Sequence, residues 1–221
     1  MGVVWIYSLL DLQDLALGGS FRETHPTALI LALAVWLCAL TASSNTFYRE
    51  RLLGTLERLS VTPFSPGLMV AAKALVLACV AAAQGVLVWW AGRMLLAEDL
   101  RRASDPAGVL GMVLLALATV ALGMFLATLL TSPTQIGNAV TFLTLGVLSF
   151  SGFFKPVEDL GAASPVARNL PFTLAYRALR AAVGGGHAPT QTYLVLAFEA
   201  VVLLVLTALM LRAVAGEPGG R

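Results

Sequence analysis

The sequence predicts an all-α integral membrane protein, and three observations carry that reading. Of 221 residues, 58% are hydrophobic and only 12% are charged, with a mean hydropathy of +0.86. A water-soluble domain carries about 25% charged residues, so this chain has too few to cover a surface facing water. Its apolar residues also fall in runs of about 20, the length a helix needs to cross the hydrocarbon of a bilayer. Between the runs lie short links rather than anything resembling a soluble domain or an internal repeat.

Five spans are expected. The first is TALILALAVWLCALTASS, residues 27–44. The second, at 67–92, ends on Trp89 and Trp90, which suit a membrane–water boundary. The third covers 108–130, and TSPTQ (131–135) makes a tight turn into the fourth. That fourth run, IGNAVTFLTLGVLSFSGFF at 136–154, is shorter and richer in small and polar residues. The fifth, at 192–211, carries Glu199 inside it. Before it, residues 155–190 stay apolar but are broken by Pro156, Pro165, Pro171 and the run Gly184, Gly185, Gly186. The stretch 162–183 therefore reads as one or two short helices that re-enter or lie at the interface.

At the N-terminus, Ser8, Asp11 and Asp14 share a helical stripe among leucines. That spacing suits an interfacial amphipathic helix or the remnant of a truncated further span. No basic n-region precedes it, as a cleavable signal would require. The organisation expected is an N-terminal segment at 1–25, a transmembrane domain at 26–214 and a short cytoplasmic tail at 215–221. Cys38 and Cys79 sit inside apolar runs and read as small buried hydrophobes.

Several chemistries are disfavoured. The net charge of +2 comes without a basic tract for nucleic acid. His25 and His187 stand apart from any Cys or carboxylate at metal-ligand spacing. No G-x-x-x-x-G-K-[ST], H-E-x-x-H or G-x-S-x-G occurs. Neither a phosphate-binding loop nor a catalytic or metal centre is expected in this chain.

One stretch does not match the rest. Residues 48–66, YRERLLGTLERLSVTPFSP, hold Arg49, Glu50, Arg51, Glu57 and Arg58 between two apolar runs. Leu52, Leu53, Leu56 and Leu59 form an apolar stripe on a short helix, with opposite charges on the remainder. Gly54 permits a bend, and Thr62-Pro63 and Ser65-Pro66 stop the helix before the second span. This is either a docking surface for a soluble partner or a solvated loop with ordinary helix charges.

Residues 47–63 resemble the signature loop of type-2 ABC transporter permeases, E-R-x-x-G-T-x-E-x-L-x-x-T-P. Glu50, Arg51, Gly54, Thr55, Glu57, Leu59, Thr62 and Pro63 match it position by position. A second similarity lies at SGFFKPVEDL (151–160) and NLPFTLAYRALRAA (169–182). The resemblance covers roughly residues 26–214. It implies that the 47–63 helix, with Arg49 and Arg58, couples to an ATPase. It also implies that Ser151, Gly152, Phe153, Phe154, Pro156, Val157, Glu158 and Pro171 belong to an external re-entrant gate. It places 45–66 in the cytoplasm, with 93–107 and 155–190 outside, although the count of basic residues favours the opposite orientation. Members usually open with a basic elbow and a further first span; no clear counterpart of either is read here, where MGVVWIYSLLDLQDLAL stands instead.

The implied function is the membrane subunit of an ATP-driven exporter in a bacterial plasma membrane, working on an amphipathic drug, lipid or lipid-linked molecule. Its partners would be two ABC ATPase subunits, which bind the ATP and Mg, a second permease subunit (identical or different) and membrane lipids. The competing reading is a non-transporting scaffold or immunity protein that binds a partner through the same loop. Glu199 either lines the substrate route, with Asn138 and Thr141 as further candidates, or holds a proton relay, or pairs structurally with a polar group such as Thr141 or Asn138, since a carboxylate within a span faces protein or water. Lys73 is expected to snorkel to the cytoplasmic boundary as an anchor.

Overall fold

The computed structural model describes residues 26–53, 66–95, 106–151, 157–183 and 188–215. Seven α-helices account for most of them: α1 (Pro26–Leu52), α2 (Pro66–Leu95), α3 (Pro106–Leu129), α4 (Pro133–Phe150), α5 (Ser164–Arg168), α6 (Pro171–Val183) and α7 (Thr190–Ala215). A 3-10 stretch, Val157–Ala163, leads into α5 and is kinked at Gly161, where φ is +56°. Five of these helices have proline as their first residue. Proline lacks only an N–H that the first turn leaves unpaired anyway, and its fixed φ already suits a helix. At α4 the start is also capped, with the Ser132 hydroxyl accepting from the Gln135 N–H.

Four helices are long and apolar enough to cross a membrane: Ala28–Glu50, Gly67–Ala91, Pro106–Leu129 and Thr190–Leu211. They correspond to the first, second, third and fifth runs expected from the sequence. The fourth run is helical too, but α4 has 18 residues, about 27 Å at 1.5 Å each, slightly under the roughly 30 Å hydrocarbon core. Thr134, Gln135 and Asn138 make its first two turns polar. It thus does not count among the four. The first span is longer than the expected 27–44, because α1 continues unbroken to Leu52.

The bundle has inner and outer members. Just over half of the apolar window of α1 and of α3 is buried (56% each), against 22% for α2 and 17% for α7. α3 sits at the centre, packed against α1, α2, α6 and α7. Its close approaches use small residues, as helix packing in lipid does. A Cβ added at Gly123 would lie 3.0 Å from the Leu40 carbonyl oxygen, and one at Gly85 of α2 would lie 3.3 Å from the Met112 sulfur. Gly108 and Gly111 face the Cβ atoms of Ala182 and Ala178 on α6, so α3 and α6 run antiparallel. The outward faces carry Leu75, Val76 and Leu87 on α2 and Leu194, Phe198 and Val201 on α7, which suits acyl chains. Cys79 is exposed on the outer side of α2 rather than buried, while Cys38 is half-buried.

The short helices anticipated within 162–183 are present. α6 buries nine of its 13 residues, among them Phe172, Tyr176 and Leu179. Phe172 meets Trp36 of α1 edge-to-face, with ring centroids 5.8 Å apart. Trp36 is ten residues into α1, so α6 begins about 15 Å along the bundle and climbs back to the level of Gly108. That is a re-entrant course.

Candidate functional site

The Leu52 end of α1 gathers three elements. Because the helix passes through Phe47, Tyr48, Arg49 and Glu50 without a break, these residues keep the 3.6-residue register of the span itself. Arg49 is exposed, whereas Phe47 and Tyr48 are buried. Glu50 forms an ion pair with Lys73, two turns into α2, and each side chain is 24% exposed. The Lys73 ammonium also lies 5.8 Å from the centroid of the Phe47 ring, within cation–π range. One residue further, the Tyr48 hydroxyl donates to the Thr131 carbonyl at 3.3 Å. Thr131 in turn donates from its N–H and its hydroxyl to Gln135 Oε1. The end of α1 is thereby tied to α2 through charge and to the α3–α4 turn through hydrogen bonds.

Of the expected coupling residues, Arg49 and Glu50 lie on the last turns of α1, and Arg51 is helical with them. Gly54, Thr55, Glu57, Arg58, Leu59, Thr62 and Pro63 lie outside the described residues. Lys73, expected from the sequence to snorkel to the cytoplasmic boundary as an anchor, is paired with Glu50, a partner that expectation did not name. Its signal was available: Lys73 stands in the first turns of an apolar run, and Glu50 is the carboxylate that ends the run before it, on the same side of the membrane. Phe47 and Tyr48 were missed because aromatic residues at a span end ordinarily read as belt residues.

At the opposite end, Ser151 is buried and its hydroxyl bonds the Leu148 carbonyl at 3.1 Å. Val157 is buried, Glu158 lies in the 3-10 stretch, and Pro171 opens α6. Gly152, Phe153, Phe154 and Pro156 fall outside the described residues. Tyr176, on α6, is buried with its hydroxyl unbonded.

The three candidate pathway residues do not meet. Asn138 and Thr141 are exposed on α4, and the Thr141 hydroxyl is used by the Gly137 carbonyl at 2.9 Å. Glu199 is half-buried on α7, and its Oε2 is buried without a hydrogen-bond partner. The expected pairing of Glu199 with Asn138 or Thr141 is therefore not formed, because α4 packs on α1, α3 and α6.

The sequence matches the family model of the ABC-2 type transporter over residues 4–183. The chain belongs to that family. The match takes in the N-terminal segment from residue 4 and ends at Val183, the last residue of α6. No curated protein and no solved structure matches the chain. As an ABC-2 type transporter component it is a multi-pass membrane permease, and the family works with an ABC ATPase as a separate subunit.

Proposed function

We propose that this permease couples ATP hydrolysis by its partner ATPase to export of an amphipathic substrate, with the Leu52 end of α1 and the segment after it as the mechanical input. The observation that carries this reading is the continuity of α1 from its buried middle to Glu50, together with the Glu50–Lys73 pair. A force on residues 49–63 acts on the lever arm of a span, and the ion pair passes it to α2 at the same time. Tyr48 extends it to the α3–α4 turn. Two such subunits, identical or different, would enclose a pathway that two ATPases switch between two states. ATP and Mg belong to the ATPases.

On this reading Arg49, Glu50, Arg51, Gly54, Thr55, Glu57, Arg58, Leu59, Thr62 and Pro63 form the contact with the ATPase. Ser151, Gly152, Phe153, Phe154, Pro156, Val157, Glu158 and Pro171 belong to the external gate. The amphipathic substrate class rests on the scarcity of fixed polar groups along the spans.

The test is co-purification with the ATPase, followed by hydrolysis measurements on Glu50→Ala and Glu57→Ala. Both variants should weaken assembly or uncouple hydrolysis while the membrane part stays folded. Exchanging the charges, Glu50→Lys with Lys73→Glu, should recover more coupling than either single change. Wild-type affinity and stimulation in both alanine variants would sink the coupling role. Firm ATPase binding with no substrate movement would instead favour a scaffold.

A further inference from the structure

At the end of the bundle away from Glu50, α5, α6 and the first turns of α7 line an open-sided cavity of about 770 Å³. Its polar lining, among the described residues, comes from Ser164, Arg168, Asn169, Arg177, Gln191 and Thr192, and none of these is a carboxylate. The kink at Gly161 forms part of the wall.

The depth of this cavity matters. Arg177 precedes Ala178, whose Cβ faces Gly111, five residues into α3. At 1.5 Å per residue that is roughly 8 Å inward from the start of α3, and Val195, also in the lining, is a similar distance into α7. A guanidinium remains charged under all ordinary conditions, and placing it unpaired near hydrocarbon is unfavourable. Arg177 is half-buried, and no described carboxylate pairs with it. Arg168, more exposed and engaged in an interaction of its own, lines the same space. The hydroxyls and amides of Ser164, Asn169, Gln191 and Thr192 complete a lining able to donate hydrogen bonds to oxygen.

We propose that this cavity binds a phosphate oxyanion, with Arg177 as its principal ligand. A planar guanidinium can grip phosphate through two parallel N–H donors, and the cavity is large enough for the group that carries it. The anion can arrive as the headgroup of an anionic phospholipid or as free phosphate. The inference needs no ATPase and stands apart from the proposed coupling.

The test uses the full chain, delipidated in a non-ionic detergent, with thermal unfolding as the readout. Three additives are titrated: phosphatidylglycerol, inorganic phosphate and a phosphate-free glycosyl diacylglycerol. Saturable protection by phosphatidylglycerol but not by the glycolipid is expected. Arg177→Gln should weaken it at least tenfold, and Arg177→Lys should recover part of that loss. Arg180→Gln, which changes an exposed arginine outside the cavity, should leave the titration as in wild type. Val195→Trp, which narrows the cavity without touching charge, should also weaken protection. Protection by inorganic phosphate alone supports the site and assigns it to a free anion. Equal protection by the glycolipid, or an unchanged titration in both Arg177→Gln and Val195→Trp, overturns the proposal.

Discussion

Replacing Gly123 by alanine adds one methyl group, and the structure specifies what it meets. The new Cβ would fall 3.0 Å from the Leu40 carbonyl oxygen and 3.2 Å from the Ser43 Cβ, and it would collide with the Ser43 hydroxyl. That hydroxyl cannot simply swing away without loss, because it donates to the Ala39 carbonyl at 2.6 Å. The helix itself favours alanine over glycine by about 1 kcal/mol. Overpacking against a rigid neighbour costs about 1–3 kcal/mol, and a backbone oxygen puts this site in the upper part of that range. Net destabilisation of about 2 kcal/mol is expected, with α1 displaced from α3. Gly137 and Gly146 of α4 are the internal comparison, since nothing lies within 4 Å of a Cβ at either. Gly137→Ala should be neutral or stabilising by up to about 1 kcal/mol. Unfolding in mixed micelles, followed by tryptophan fluorescence, would measure both. Ser43→Ala on the Gly123→Ala background should return about half of the loss, since it removes the hydroxyl and leaves the backbone oxygen. Equal stability of Gly123→Ala and Gly137→Ala would refute the reasoning that this crossing is closed by a missing side chain.

Two further outcomes follow from the buried interior. Trp36 is 1% exposed, donates from its indole to Thr144 Oγ1 at 3.2 Å and packs on Phe172. Trp36→Phe should cost about 0.5–1.5 kcal/mol for the lost hydrogen bond, and Trp36→Ala about 3–5 kcal/mol, both read from the same unfolding titration. Proteolysis within 157–183 should accelerate only in Trp36→Ala, since α6 then loses its aromatic support. Glu199→Gln removes a charge whose Oε2 has no partner, so thermal unfolding in detergent should show stability equal to or above wild type; a marked loss would mean that the carboxylate is bonded after all.

Much of the fold was legible because it depends on length and composition along the chain. The four spanning helices arise from apolar runs long enough to satisfy their own backbone in lipid, and α6 starts at a proline visible in the sequence. The charged stretch that ends α1 was legible as well, because charges are conspicuous beside hydrocarbon-compatible residues. Its register was not: α1 runs on to Leu52 rather than yielding to a separate short helix at Phe47.

Which helices lie inside was not readable in the same way. In water, the buried face of a helix is marked by apolarity, but in a bilayer the outward face is apolar too. Leu115 at the centre of α3 and Leu87 on the outside of α2 are chemically the same residue. What separates inner from outer is the absence of bulk at Gly108, Gly111 and Gly123, and that acquires meaning only when Ala182, Ala178 and Leu40 are brought opposite. The sequence by itself determined the membrane class, the helices and the charge at the end of α1. Only the tertiary structure decided that Glu50 meets Lys73, 23 residues away, and that Arg177 lines a cavity with no carboxylate partner among the described residues, because pairing across helices depends on how the bundle is packed.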